Sequence, residues 1–166
     1  MTFTTHILIA GALTKPIVHA HPVLSFGVAI ASHYLTDLIP HWDYGIRSID
    51  KKTQENVDAI QWDFRDKKFW RDFSHFTFDA LLGLGILTLI SWPTSLTQFS
   101  ALFFVSAGAV LPDFLQGIYF TRKANFLKPA QRLHDFFHTR LRLSPYPLIG
   151  VPFQLVFAAI SLWVLA

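Results

Sequence analysis

What most limits how this chain can fold is a set of long apolar runs that ionisable residues barely interrupt. After Asp79 the chain stays apolar to Trp92, residues 97–119 carry Asp113 as their one charged side chain, and residues 146–166 carry none. Two earlier runs, 5–18 and 23–39, read the same way. Each is expected to be a helix. The first is short for a full crossing, which needs about 20 apolar residues, so it is either a crossing or a partial insertion. Composition agrees: the chain is 52% hydrophobic and 16% aromatic, and only 15% charged, against about 25% in soluble proteins. The expected architecture is all-α, a membrane-embedded bundle of four to five helices in one domain, 1–166. Residues 43–74 are polar and read as an interfacial insertion folded over the mouth of the bundle.

Cysteine is absent. Thiolate metal sites and disulfides are therefore excluded, and a metal must be held by His, Asp, Glu or backbone oxygen. A net charge of +3 gives no reason to expect nucleic-acid binding. No secretory signal is evident at the start of the chain.

Connections set the expected topology. Segment 43–74 carries seven Lys/Arg and segment 121–145 six, while 19–22 and 93–96 carry none. The positive-inside rule puts both basic segments at the cytoplasmic face, as expected for a multi-pass protein of the cytoplasmic (inner) membrane. His6, Asp37, His41, His75, Asp79, Asp113, His134 and His138 then all fall at that level, with His19 and His21 at the other. The residues could meet there.

The densest motif is Ser32-His33-Tyr34-Leu35-Thr36-Asp37-Leu38-Ile39-Pro40-His41-Trp42-Asp43. His33, Asp37 and His41 are spaced four apart, along one helical face. Pro40 tends to end the helix, leaving His41 and Asp43 just beyond it. A divalent cation suits such a mixture of imidazole and carboxylate. His33 reads as a group orienting Asp37, and Asp43 as a ligand or general base. His75 and Asp79 form an i, i+4 pair, either metal ligands or an ion pair. His134 and His138 repeat that spacing, either as ligands or as histidines beside lipid headgroups. Asp113 follows Pro112 in an apolar helix, where a carboxylate needs a partner. Arg122, Lys123, Arg140 and Arg142 could hold a phosphate, or simply mark the inner face and bind headgroups.

A faint repeat runs through these motifs. Thr5-His6 opens one helical hairpin that Pro40-His41 closes, and Ser74-His75 opens another that Pro112-Asp113 closes. It predicts two related hairpins, each giving ligands from both ends.

At Thr5-His6, Ile39-Pro40-His41-Trp42-Asp43 and His134-Asp135-Phe136-Phe137-His138 the chain resembles a family of membrane-bound metal-dependent hydrolases, the inner-membrane-associated hydrolases. His41 stands where many members have Asp. More distantly the array is similar to the all-helical zinc-dependent phospholipases C, with His138 where those have an acid. The resemblance implies a membrane and a metal. Eight His/Asp ligands would suit two or three closely spaced cations, zinc first and manganese as the alternative, acting on a phosphoester. The expectation is a hydrolase of a phospholipid-like substrate at the cytoplasmic face. The rival is a non-enzymatic protein that binds or transports a divalent metal.

Overall fold

The computed structural model describes residues 1–49, 59–139, 141 and 143–166. Among these, the chain forms six α-helices: α1 (Phe3–Thr14), α2 (Pro22–Asp37), α3 (Lys67–Ser91), α4 (Leu96–Arg122), α5 (Lys128–Phe137) and α6 (Pro147–Leu165), with a 3-10 turn at Asn125–Leu127. No strand occurs among the described residues. The all-α expectation holds. α3, α4 and α6 are long and apolar enough to cross a membrane. They leave Phe78, Leu82, Leu89, Phe103, Phe104, Leu155 and Trp163 exposed, an apolar surface suited to lipid rather than water.

The shortest apolar helix is the axis of the bundle. α1 packs against α2, α3, α4 and α6 and buries Thr5, His6, Ile7, Leu8, Ala10, Gly11 and Thr14. A helix that is apolar all round belongs inside. At 12 residues it spans about 18 Å. α3 lies parallel to it at close range: a Cβ on Gly83 would stand 2.9 Å from the Thr4 Cα, and one on Gly11 would meet the Leu87 side chain. α2 crosses α4 just as tightly, with Gly108 against the Phe26 carbonyl. The core runs through Ile7, Leu8, Leu87, Leu102 and Val105.

The two uncharged turns share one end of the bundle, since His19 and Pro22 line a cavity with Ser95, Thr97 and Gln98. Lys15 Nζ reaches the Val164 and Leu165 carbonyls there. The opposite end is where α1 begins and α2 stops. Both hairpins of the expected repeat exist, but they differ in length, and Ser74-His75 lies inside α3 rather than at its start. α3 begins eight residues ahead of His75, at Lys67, because Asp66 caps it by accepting from the Lys68 N–H. Phe69, Phe73 and Phe76 continue one face of that helix.

The described residues of the polar segment ahead of α3, around 44–49 and 60–62, pack at the start of α3 and the end of α4. Trp62 N–H donates to the Phe120 carbonyl, and Ile49, Ile60, Tyr119, Phe120 and Leu127 form a second small core. Buried Asp72 accepts from the Ser48 N–H and hydroxyl. Glu55 lies outside the described residues.

Candidate metal centre

Four elements bring polar side chains to one buried point. α1 supplies His6, α2 supplies His33 and Asp37, α4 supplies Asp113, and α5 supplies His134. Pro40 ends α2, as expected, and the following loop turns His41 and Asp43 back toward the same place. The connection after α5 then runs beside that loop: Thr139 N–H donates to the Asp37 carbonyl and Leu143 N–H to the His41 carbonyl. That pairing sets His138, just past the end of α5, beside the His41 ring at 5.2 Å.

The separations are short. His33 Nε2 lies 3.1 Å from Asp37 Oδ2 and His6 Nε2 lies 3.2 Å from Asp37 Oδ1. His134 Nε2 lies 2.9 Å from Asp113 Oδ1, and His41 Nε2 lies 3.2 Å from Asp43 Oδ2. The Met1 ammonium sits 2.7 Å from Asp43. Yet His6 Nε2, His33 Nε2, His41 Nε2 and Asp37 Oδ1 are buried without a hydrogen-bond partner. The atoms are close but not aimed as donor and acceptor.

The other nitrogen of each ring explains this. His33 Nδ1 meets the Ala109 carbonyl at 2.7 Å, His41 Nδ1 the Ile39 carbonyl at 2.7 Å, and His138 Nδ1 the Thr139 carbonyl at 3.2 Å. A carbonyl only accepts, so in each neutral ring the proton is on Nδ1. His6 Nδ1 meets the Thr36 hydroxyl at 3.0 Å. That hydroxyl spends its own proton on the Ser32 or His33 carbonyl, so it too accepts. Four imidazoles thus hold lone pairs on Nε2, three of them close to carboxylate oxygens, in a buried space. The Met1 ammonium, 2.7 Å from Asp43 and 3.7 Å from Asp37, supplies one positive charge against three carboxylates, and lone pairs facing the remainder are stable only with more positive charge among them. Nδ1–H bound to a carbonyl, with Nε2 free, is the arrangement of a metal-binding histidine. The residues present fit a divalent cation with oxygen and nitrogen ligands.

At the mouth, burial works to raise the Asp43 carboxyl, but the Met1 ammonium and the His41 ring outweigh it and hold the group well below the usual carboxylate range. Burial pushes the His138 imidazole below its ordinary value, so its neutral form is favoured.

Two candidates are placed elsewhere. His75 is exposed on α3. Asp79 serves the start of α1, accepting from the Phe3 and Thr4 N–H groups and the Thr4 hydroxyl, and from the Tyr44 hydroxyl at 2.6 Å. Burial and the Asp79 charge push the Tyr44 phenol far above its ordinary value, keeping it a donor. The structure brings together the remaining six expected ligands, with Asp43. His33, read from the sequence as an orienting residue, presents Nε2 on the same footing as the others. Asp135 is exposed and bonded to Gln131. Arg122 lies over the Phe64 ring at 5.8 Å, and Arg140 and Arg142 fall outside the described residues.

No protein-family model matches the chain, and no curated protein or solved structure matches it.

Proposed function

We propose that the protein is a membrane-bound metal-dependent hydrolase of a phosphoester, phospholipid-like in character, at the cytoplasmic face of the cytoplasmic membrane. This is the activity that the resemblance to the inner-membrane-associated hydrolases implies. The observation that carries the metal is the set of buried, unpartnered imidazole nitrogens around Asp37. Zinc suits the nitrogen and carboxylate donors first, and manganese second. When bound, such a cation lowers the pKa of a coordinated water toward about 7 and neutralises developing charge on a phosphoester. The chain's own part is to hold and to exclude. His6, His33, Asp37, His41, Asp113, His134 and His138 would hold the metal, with Tyr34 packed beside His134 and Phe137 beside Tyr34. Asp43, one-third exposed and held ionised, is the group placed to take a proton from an entering water.

Metal transport is the weaker reading. Beneath the cluster the core is Ile7, Leu8, Leu87, Leu102 and Val105, so among the described residues no group of His and Asp ligands continues along the bundle. Exposed Leu35 on α2, Leu38 just past its end, and Leu133 and Phe136 on α5 suit an amphiphilic substrate arriving from a leaflet. The test is phosphate-ester release from phospholipid nanodiscs carrying the zinc- or manganese-loaded protein. Hydrolysis abolished by chelation and by Asp43→Asn supports the reading. Metal-loaded, folded protein that cleaves no phosphoester sinks it.

A further inference from the structure

We infer that α5 is an interfacial helix seated in the membrane leaflet at the cluster end of the bundle, and that anionic lipid under its outer face holds His134 in place. The consequence for His134 rests on the metal-centre reading; the seat itself does not.

Three sides of α5 and the turn before it carry three kinds of residue. Toward the bundle, Leu127, Gln131 and His134 are buried at spacings of four and three. On the opposite side, Phe126, Leu133 and Phe136 are 79%, 46% and 78% exposed. Between the two, Lys128 and Arg132 stand one turn apart on an exposed flank. A surface helix in water buries its apolar stripe and turns its polar residues out. Apart from Leu127, this one does the reverse. At 10 residues α5 spans about 15 Å, too short to cross a bilayer. An outward apolar face with a basic flank is the pattern of a helix lying at the headgroup and acyl boundary.

The occupant of that face is lipid, because the face continues an apolar surface. α5 runs back along α4 from Leu127, packed with Tyr119 and Phe120, to His134, at Gln116 and Asp113. Its end meets α2, with the Phe137 and Tyr34 rings 5.4 Å apart. Leu38, one turn along from Tyr34, is exposed, so the apolar strip passes from α5 onto α2. A second copy of the chain fits less well. Three side chains fall short of the about 800 Å² per partner of a stable interface. A two-fold contact would also bring Lys128 and Arg132 of one copy near those of the other. The same two residues suit anionic headgroups.

The inner side of α5 is held by few polar contacts. Gln131 gives its amide N–H to Asp135 on the same helix, leaving Oε1 buried without a partner. His134 reaches α4 through Asp113 and Gln116 alone. Lipid on the outer face supplies the burial that the inner face lacks. Without it α5 lifts and His134 leaves Asp113. Membrane seating and metal binding are then coupled, each strengthening the other by the same factor.

The experiment uses the full chain in nanodiscs. Cysteine is absent, so Leu133→Cys and Asp135→Cys each take a single bimane label. Brominated acyl chains should quench the first more strongly than the second. Quenching of the first no stronger than of the second, in protein folded by circular dichroism, overturns the seat. Quenching lost only when two chains share a disc assigns the face to a second copy and overturns it as well. The coupling is read by titrating Mn(II) against a chromogenic chelator in discs of one composition, where all variants share the surface potential. Leu133→Ser/Phe136→Ser, which alters no ligand, should lower the affinity about 10-fold. Lys128→Gln/Arg132→Gln should lower it in anionic discs and leave it unchanged in zwitterionic ones. Unchanged affinity in Leu133→Ser/Phe136→Ser overturns the hold on His134 and leaves the seat standing. Loss in that variant alone overturns the preference for anionic lipid. Folded wild type that binds no metal overturns the metal centre instead, and the quenching then decides the seat by itself.

Discussion

His33 and Asp37 stand one helical turn apart with Nε2 and Oδ2 at 3.1 Å, yet the proton that would join them is on the far side of the ring. Nδ1–H is given to the Ala109 carbonyl of α4. A histidine so held offers Asp37 a lone pair. The same logic, repeated at His6 and His41, makes the cluster a poor ion-pair network and a good cation site.

Removing divalent metal should therefore cost stability as well as ligand. A site occupied at a hundred times its Kd contributes about 2.7 kcal/mol through binding to the folded state alone. For a chain of this size that corresponds to a fall in Tm of about 5–10 °C. Thermal unfolding in detergent, with and without chelator, checks this. The shift should shrink or vanish in Asp37→Asn, which removes the carboxylate charge that the His6, His33 and His41 Nε2 atoms surround. An equal Tm with and without chelator in metal-loaded wild type would contradict the centre.

Asp79 and His75 separate structure from metal binding. Asp79 accepts from two backbone N–H groups at the start of α1 and from the Thr4 and Tyr44 hydroxyls. Hydrogen bonds to a charged group are worth about 1.5–3 kcal/mol each, and losing a helix cap about 0.5–2 kcal/mol. Asp79→Ala should therefore destabilise by about 2–4 kcal/mol, read by thermal unfolding, and leave the metal stoichiometry of the surviving folded protein unchanged. His75→Ala should alter neither. Loss of metal from His75→Ala would restore the pair as ligands.

The sequence carried the helices through their apolar runs, and it carried most of the cluster through spacing and topology. It did not show where α3 starts, because Lys67, Lys68, Arg71 and Asp72 hide the face formed by Phe69, Phe73 and Phe76. α5 was also hidden, being short, basic and opened by Lys128-Pro129. The roles of His33 and Asp79 turn on partners about 75 residues away in the chain: the Ala109 carbonyl for one and the first turn of α1 for the other. An i, i+4 spacing says that two side chains share a face. It says nothing about which ring nitrogen carries the proton, or what another helix end presses against that face.

Helix approach gives a prediction independent of metal. A Cβ at Gly83 would stand 2.9 Å from the Thr4 Cα and 2.9 Å from Ile7 Cδ1, whereas one at Gly85 would meet nothing within 4 Å. Backbone at Thr4 cannot step aside without pulling α1 off Asp79. Gly83→Ala should therefore destabilise by about 1–3 kcal/mol despite its better helix propensity. Gly85→Ala should stabilise by about 0.5–1 kcal/mol. Paired thermal unfolding of the two variants measures both signs, and a stabilised Gly83→Ala would mean that α1 and α3 are further apart than described.

His134 is the one imidazole of the cluster whose Nδ1 faces neither a carbonyl nor a hydroxyl. Its neighbour is the Gln116 amide, with Nε2 at 3.1 Å, and that donor would leave the ring proton on Nε2, directed at Asp113 Oδ1 at 2.9 Å. Metal binding needs the opposite arrangement: the amide turns so that its oxygen accepts from Nδ1–H, and His134 Nε2 becomes a lone pair. A side-chain amide makes both states available by rotating about one bond. Gln116→Leu removes the acceptor without touching any ligand. It should weaken metal binding by about 10–100-fold, the usual effect of losing a partner that orients a ligating histidine. Gln116→Glu, which only accepts, should restore or exceed the wild-type affinity. Competition titrations with a chromogenic chelator measure all three proteins. Unchanged affinity in Gln116→Leu would show that His134 binds through Nε2 without help from α4, or does not bind at all, and His134→Gln in the same assay tells those two apart.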